Sequence, residues 1–579
     1  MFNLLTFNKS IDDFNLSEYG ISLNQEFEEE GIRIVLETLK EPKIIDLREQ
    51  ISIILDSEFS LELMFPDSEN INQENVYNLG NFLLLTIHDC IYEAVEKQVF
   101  DLAYYLREML SLRSAEPDIP FKRYYSSQLS LASSCKEPDG GEPKDYAWSL
   151  RNMEIPAAWA LAPNNNGRAK GAGIRIGHPD TGYSKHDDLD LIRLDVASGY
   201  DFVSRKQDPK DPLDYKGKHL NPGHGTATGS VMISVGGVTT APTGTNFGGT
   251  NGKGKVTGVA PEATLIPYRA IKSVIRILSS NIARSVHMAT QNNCHVISMS
   301  LGGFASRSLH SAIEGAVNRN IIVLAAAGNC VRIVVWPAKY KNCIALAATN
   351  INDRPWKGSC RGSEVCVSAP GEYVWCAKRE SHTDSSHNEV EGGQGTSFAT
   401  ANAAGVAALW LAFHNLNILS SYCISTSSKM QEVFRELLKK TARVPSVWNG
   451  KKFGSGIINA YDLLLARISP PQVITNADDY LYIGHIANLL ETSDTQELNK
   501  LFNKLFPSIF TAKEVQLHLF ELWGHELLII IFNNDVLRNN MISLLNQNIF
   551  DDKHEQILND VRSVIRKDAS LTLANFLAD

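Results

Sequence analysis

The run Gly393-Gln394-Gly395-Thr396-Ser397-Phe398-Ala399 constrains this chain more than any other stretch, because an alanine-rich segment follows it with Ala401, Ala403, Ala404, Ala407 and Ala408. Alanine combines high helix propensity with little bulk, so the run reads as a buried small-residue helix. Ser397 stands where that helix begins. The first backbone N–H groups of a helix lack partners within it, and the dipole favours negative charge there. An ordinary N-cap would explain the serine. So would a nucleophile, since an oxyanion built beside it would be stabilised. Other stretches decide between these readings.

A serine hydroxyl is a poor nucleophile without a base, and the base needs an orienting carboxylate. Gly173-Ile174-Arg175-Ile176-Gly177-His178-Pro179-Asp180-Thr181-Gly182 reads as a short strand ending in an aspartate on a tight turn. Asn221-Pro222-Gly223-His224-Gly225-Thr226-Ala227-Thr228-Gly229 places a histidine between glycines at the entry to a small-residue helix. Ile321 onward is a buried strand that delivers Asn329, a candidate second oxyanion donor.

Asp-Thr-Gly at 180, His-Gly-Thr at 224, Gly-Val-Ala-Pro at 258, Ser-Leu-Gly-Gly at 300, Ala-Gly-Asn at 327, Trp-Pro-Ala at 336, Ala-Pro-Gly at 369 and Gly-Thr-Ser at 395 follow one another. On these motifs the region 146–468 resembles the subtilisin-type serine peptidases, the subtilases. One such motif is weak, whereas eight in the family's order are specific. The resemblance implies a serine endopeptidase that hydrolyses peptide bonds through an acyl-enzyme, with Asp180, His224 and Ser397 as triad and Asn329 as oxyanion donor. It also implies that Ser300, Leu301, Gly302 and Gly303 form a substrate-binding edge that a peptide joins as an added strand. His178, Asp187 and Asp188 lie near Asp180 but lack the matching flanks and read as structural. In the family, the residue before the aromatic-Pro pair is often glycine, at the back of the pocket for the side chain preceding the scissile bond. Val335 stands there, which implies a preference for small or medium side chains. The chain departs from the family at Ala401 and Asn402, where a proline and a histidine are usual, and in a short Cys330–Val335 loop.

The 579 residues are 44% hydrophobic, enough for several cores and about two to four domains. A net charge of −10 argues against a nucleic-acid partner. No apolar run reaches the roughly 18 residues of a membrane span, so no membrane partner is expected. The first residues lack the basic start, long apolar region and cleavage site of a signal peptide. The nine cysteines are scattered, with no zinc spacing, and read as free thiols in a reducing cytoplasm.

The expected fold is α/β: a parallel-sheet subtilisin-like catalytic domain, a mixed or helical N-terminal domain and a small helical C-terminal domain. Residues 1–112 read as a regulatory or recruitment domain, 113–145 as a linker, 146–468 as the peptidase domain and 475–579 as the C-terminal helices. Within 1–60, 13 Asp/Glu stand against 5 Lys/Arg, with apolar clusters that suggest β structure. From Tyr77 to Leu112 the pattern reads as helical. The expected strands of the peptidase domain are Ile174–Gly177, Thr264–Tyr268, Val296–Met299, Ile321–Ala326 and Ile344–Ala348. The chemistry requires no cofactor. Loops near Gly236–Gly254 often hold calcium in relatives, but this one has no acidic residue; Asp188 is a candidate ligand from elsewhere, without a clear ligand set. The expected partners are a protein or peptide substrate and a protein recruited through the terminal domains. Two other readings share parts of this pattern: a maturase with one dedicated precursor, and a non-catalytic binding protein on a protease-like scaffold.

Overall fold

The computed structural model describes residues 31–55, 57–66, 79–88, 98–119, 138–143, 145, 147–164, 166–189, 193–214, 220–235, 256–274, 278–331, 333–379, 389–471, 482–492, 494–507, 513–546 and 552–578. The chain divides into two compact units, Pro120–Thr475 and a second one made of Met1–Ile119 with Asn476–Asp579.

The second unit begins with β1 (Ile32–Glu37), α1 (Ile44–Ile54), β2 (Phe59–Leu63), β3 (Phe82–Ile87), α2 (Gln98–Met109) and β4 (Ser114–Pro117). Its antiparallel sheet runs β2-β3-β1-β4, a split β-α-β arrangement. Ile34, Leu36, Leu83 and Leu85 pack in one core with Ile51 of α1 and Leu102 of α2. The β structure expected in 1–60 is present as β1 and at the start of β2, and the helix expected in 77–112 as Gln98–Met109, but Ile44–Ile54 is helical and Phe82–Ile87 is a strand. β3 pairs on both edges, and all its residues are buried. A doubly buried strand carries a continuous apolar run, which periodicity cannot tell from a helix.

The unit Pro120–Thr475 is built on β5 (Arg175–Asp180), β6 (Tyr200–Asp201), α3 (His224–Ile233), β7 (Thr264–Arg269), α4 (Ser279–Gln291), β8 (Val296–Met299), α5 (Arg307–Asn318), β9 (Ile322–Ala326), β10 (Ile344–Thr349), β11 (Val365–Pro370), β12 (Val374–Ala377), β13 (Val390–Gly393) and α6 (Thr396–Phe413). Seven parallel strands form the sheet β11-β10-β9-β8-β5-β7-β6. All five expected strands are present, Val296–Met299 with the same ends and the other four with slightly shifted ones; β6, β11 and the β12–β13 hairpin escaped the sequence reading. After β7 the chain crosses β5 to begin β8, so strand order reverses beside β5. Ligand crevices form at such switch points, outside the carboxyl ends of the strands. Asp180 ends β5, and Ser300 follows β8.

Every residue of α6 is buried, and the helix packs on β8, β9, β10 and β11. Its length and apolarity would suit a membrane span, but its 18-residue window is 100% buried, which marks a core helix. Small residues make that depth accessible: a Cβ at Gly405 would fall 2.5 Å from Val259 Cβ.

The C-terminal helices α7 (Tyr482–Leu489), α8 (Thr495–Leu505), α9 (Lys513–Phe532), α10 (Asp535–Leu545), α11 (Asp552–Asp568) and α12 (Leu571–Phe576) complete the second unit. The sequence treated 1–112 and 475–579 as separate domains, whereas here they join. Tyr104 Oη donates to Glu526 Oε2 at 2.7 Å and Tyr482 Oη to Glu116 Oε1 at 2.6 Å. Asp101 accepts from the Thr572 amide at 2.7 Å, and the rings of Tyr104 and Trp523 meet at 4.4 Å. The reason lies in α2, which turns Leu102 and Leu106 into the sheet core and Phe100 and Tyr104 towards α9.

Candidate active site

Two glycines aim the key side chains. Gly223 precedes α3 with φ +76°, and a Cβ there would lie 1.5 Å from the Arg379 carbonyl oxygen. No larger residue fits, and the turn sets His224 at the first position of the helix. Gly395 precedes α6 with φ +148°, and a Cβ there would meet Asn329 Nδ2 at 3.1 Å.

Asp180 is fully buried at the end of β5. Its Oδ1 accepts from the Thr181 amide at 2.7 Å and from His224 Nδ1 at 2.8 Å. His224 Nδ1 lies 3.0 Å from Oδ2 as well. Burial pushes the carboxyl pKa up, but attraction to His224 and hydrogen bonds from His178 and His224 outweigh it, so Asp180 is held well below its ordinary range. With Nδ1 committed to Asp180, Nε2 is left as the basic nitrogen of His224.

Ser397 lies in the first turn of α6 and is tied to the segment after β8. Its carbonyl accepts from Ser300 Oγ at 2.9 Å, and its Oγ is 3.3 Å from Ser300 O. Among the described residues Ser397 Oγ makes no hydrogen bond to His224. Such bonds are often long in a free enzyme and tighten when substrate binds. Asn329, delivered after β9, accepts at Oδ1 from both the amide and the hydroxyl of Thr396, each at 2.9 Å. That fixes the carboxamide and leaves its Nδ2 as a donor. Thr396 was not singled out from sequence, although its place beside Ser397 was the available signal.

Ser397, Asn329, Ser300, Leu301, Gly302 and Val335 share one small open cleft, which Val274 and Val331 also line. Val335 reaches into it between two glycines: a Cβ on Gly302 would lie 2.4 Å from Val335 Cγ2, and one on Gly328 3.0 Å from it. Of the expected substrate-binding edge, the Gly302 amide donates to Val274 O at 3.0 Å and the Gly303 amide to Trp336 O at 2.8 Å. An added strand that pairs through the Gly302 amide has to open the Val274 bond.

The loop Gly236–Gly254 lies outside the described residues. Asp188 is buried, and its Oδ2 accepts from the Val256 amide at 2.9 Å. Among the described residues no three His, Cys, Asp or Glu gather at metal-binding distance. Asp188 thus anchors the backbone at Val256. Cys294, Cys343, Cys360, Cys366, Cys376 and Cys423 are free and buried. Cys330 is disulfide-bonded, which corrects the reading of every cysteine as a free thiol.

A profile of the Subtilase family matches residues 171–461. That is half of the chain, and it holds every residue of the site just described. The chain belongs to the subtilase family. Thermitase of Thermoactinomyces vulgaris is 29% identical over 55% of this chain and 98% of its own. Subtilisin BL and Subtilisin Savinase of Lederbergia lenta are each 30% identical over 54% of this chain and 96% of theirs. A solved structure of proteases from Pseudoalteromonas arctica overlaps 57% of this chain and 98% of its own at 24% identity, with a TM-score of 0.44, too loose a likeness to build on. The subtilase is a subtilisin-like serine endopeptidase, and its sheet is the α/β scaffold of that family.

Proposed function

We propose that this subtilase cleaves peptide bonds by acyl transfer from Ser397. The observation that carries the reading is the buried Asp180 carboxylate on His224 Nδ1, at 2.8 Å, with Ser397 and Asn329 sharing one cleft. His224 Nε2 takes the serine proton as Oγ attacks the scissile carbonyl. Asp180 keeps the imidazole in that tautomer and stabilises its cation. The Asn329 amide and the Ser397 backbone N–H receive the tetrahedral oxyanion. The imidazolium then protonates the leaving amine, and water releases the acyl group by the same route. A serine-directed covalent inhibitor tests this: labelling of the wild type and none of Ser397→Ala is the expected outcome, and labelling of both would refute it.

The cleft supports a specificity as well. Its lining is apolar, and Val335 fills space between Gly302 and Gly328. Small or medium side chains fit before the scissile bond, and Phe and Tyr are disfavoured.

The terminal regions and linker are read as a restraint on activity and a platform for a protein partner. The described end of the linker supports this, because it is docked. The Asp139 and Gly140 amides donate to Glu372 at 3.1 and 2.7 Å, and Asn352 Nδ2 donates to Gly140 O at 3.0 Å. A chain beginning at Asp145 is expected to outpace the full chain on the same peptide; equal rates with both proteins folded would refute the restraint. A cytoplasmic setting rests on the six free thiols and is opposed by the Cys330 bridge. Peptide mapping of protein alkylated inside intact cells, before lysis, decides it: Cys330 modified supports the cytoplasm, and Cys330 protected excludes a reducing compartment.

A further inference from the structure

Asp180 has a second group of partners that the triad leaves unused. His178 precedes it by two residues on β5, so both side chains face the same side of the sheet. The imidazole is 1% exposed. Its Nε2 lies 3.4 Å from Asp180 Oδ2 and 3.1 Å from Thr228 Oγ1. Thr228 sits one turn after His224 on α3, and its hydroxyl lies 3.0 Å from His224 O and 3.4 Å from Asp180 Oδ2. His178 Nδ1 is buried without a hydrogen-bond partner among the described residues. The ring proton therefore belongs on Nε2, where both acceptors are, since a bare lone pair costs less than a bare N–H.

We propose that His178 and Thr228 are positioning residues of the endopeptidase: His178 Nε2–H, directly and through the Thr228 hydroxyl, holds the Asp180 carboxylate in the orientation that His224 Nδ1 requires. The proposal rests on the Asp180–His224–Ser397 reading. Sequence flanks had set His178 aside as structural; a strand's two-residue period and one helical turn bring it and Thr228 to the same oxygen.

These donors act on the carboxylate that His224 faces. A carboxylate deprived of them attracts the imidazolium formed during the reaction more strongly, so the acid limb of the rate profile moves up in pH. The charged and titratable groups around the pair are Asp180 on β5 and His224 on α3. Arg269 on β7 is engaged by Asp201 at 2.9 Å, and Ser298 on β8 carries no charge. Beyond Gly223 lie Arg379, whose carbonyl abuts it, and His186, bonded to Glu389 O at 2.7 Å.

The test uses the full chain, a fluorogenic peptide and a fluorophosphonate probe, read across pH with thermal unfolding alongside. His178→Val should lower kcat roughly tenfold with KM within about twofold, as the loss of an outer-shell orienting group does. The acid limb of kcat/KM and of the labelling rate should move up by about half a pH unit. His178→Gln, which returns an N–H near the Nε2 position, should restore both. Thr228→Val should shift both in the same direction by less, and Thr228→Ser should not. The Thr228 pair carries the test should His178→Val fail to fold. An unmoved acid limb, or a loss of kcat that tracks thermal stability and is not rescued by glutamine, overturns the proposal. Wild-type protein that neither hydrolyses nor labels would overturn the underlying triad reading and the proposal with it; an active wild type with an unmoved limb overturns the proposal alone.

Discussion

The catalytic unit and the terminal unit each bury a carboxylate, and the two titrate in opposite directions. Burial pushes both pKa values up. At Asp180 the attraction of His224 and the imidazole hydrogen bonds reverse that, and the carboxyl stays ionised far into acid. At Glu526 the donors are the Ser570 amide at 2.5 Å, Tyr104 Oη at 2.7 Å and Ser570 Oγ at 3.1 Å, and Asp101 adds a like charge. Burial wins there, and Glu526 is pushed up to about 7. The difference teaches that depth alone does not set a carboxylate's charge. The partners that meet it decide whether burial makes an anchor or a switch.

The signs follow. The lowered pKa of Asp180 means that its stabilisation is present above the ordinary aspartate value of 3.8 and is lost only as pH falls through the folded value below it. The raised pKa of Glu526 means the reverse: its contribution is fully present below the ordinary glutamate value of 4.5 and is lost as pH rises from there through about 7. The catalytic unit should therefore weaken in acid, and the terminal unit towards neutrality and above.

The largest effect that would break this division is chemical. Ser397→Ala should lower hydrolysis by at least about 10⁴-fold while leaving the pH dependence of terminal-unit unfolding as it was. A change in that dependence would show that the active-site serine bears on the terminal unit's stability. Asn329→Ala should cost about 10² to 10³ in kcat with KM little changed, because its Nδ2 meets the substrate at the oxyanion; an effect on KM only would remove it from that role. Glu526→Gln keeps the shape of the protonated acid and cannot ionise. Its unfolding profile, followed by hydrogen exchange in the terminal unit, should stay flat between pH 5 and 8, where the wild type loses up to roughly 3 kcal/mol. Matching profiles would assign the switch elsewhere. The smallest effect is in specificity: Val335→Gly should raise kcat/KM for a phenylalanine before the scissile bond by about tenfold, and a library profile identical to wild type would take Val335 out of the pocket.

Much of the catalytic unit was legible from residues alone, since its parallel strands are short apolar runs and its site residues stand beside glycines that admit little else. Val296–Met299 was read to the residue. The terminal unit was less legible. The helix Ile44–Ile54 passed for β clusters because polar residues break its apolar positions into short groups, and the strand Phe82–Ile87 passed for a helix because a continuous apolar run has no period to read. The hairpin β12–β13 has only four residues in each strand, and two of the four in β13 are glycines, so it is too short to announce itself.

By itself, the sequence determined the order Asp180, His224, Ser397, the alanine-rich helix behind the serine and the asparagine that ends a buried strand, because each depends on residues adjacent in the chain: a glycine that admits the turn, small side chains that admit burial, a strand that ends where its apolar run ends. Only the tertiary structure decided what meets across the chain. It joined the two chain ends through α2, whose second apolar face has no signature of its own. It turned Val335 into the cleft between Gly302 and Gly328, and it brought His178 and Thr228, 50 residues apart, to within 3.1 Å of each other beside Asp180. Such meetings follow from strand register and helix packing, which sum small contributions over the whole core and leave no local trace in the chain.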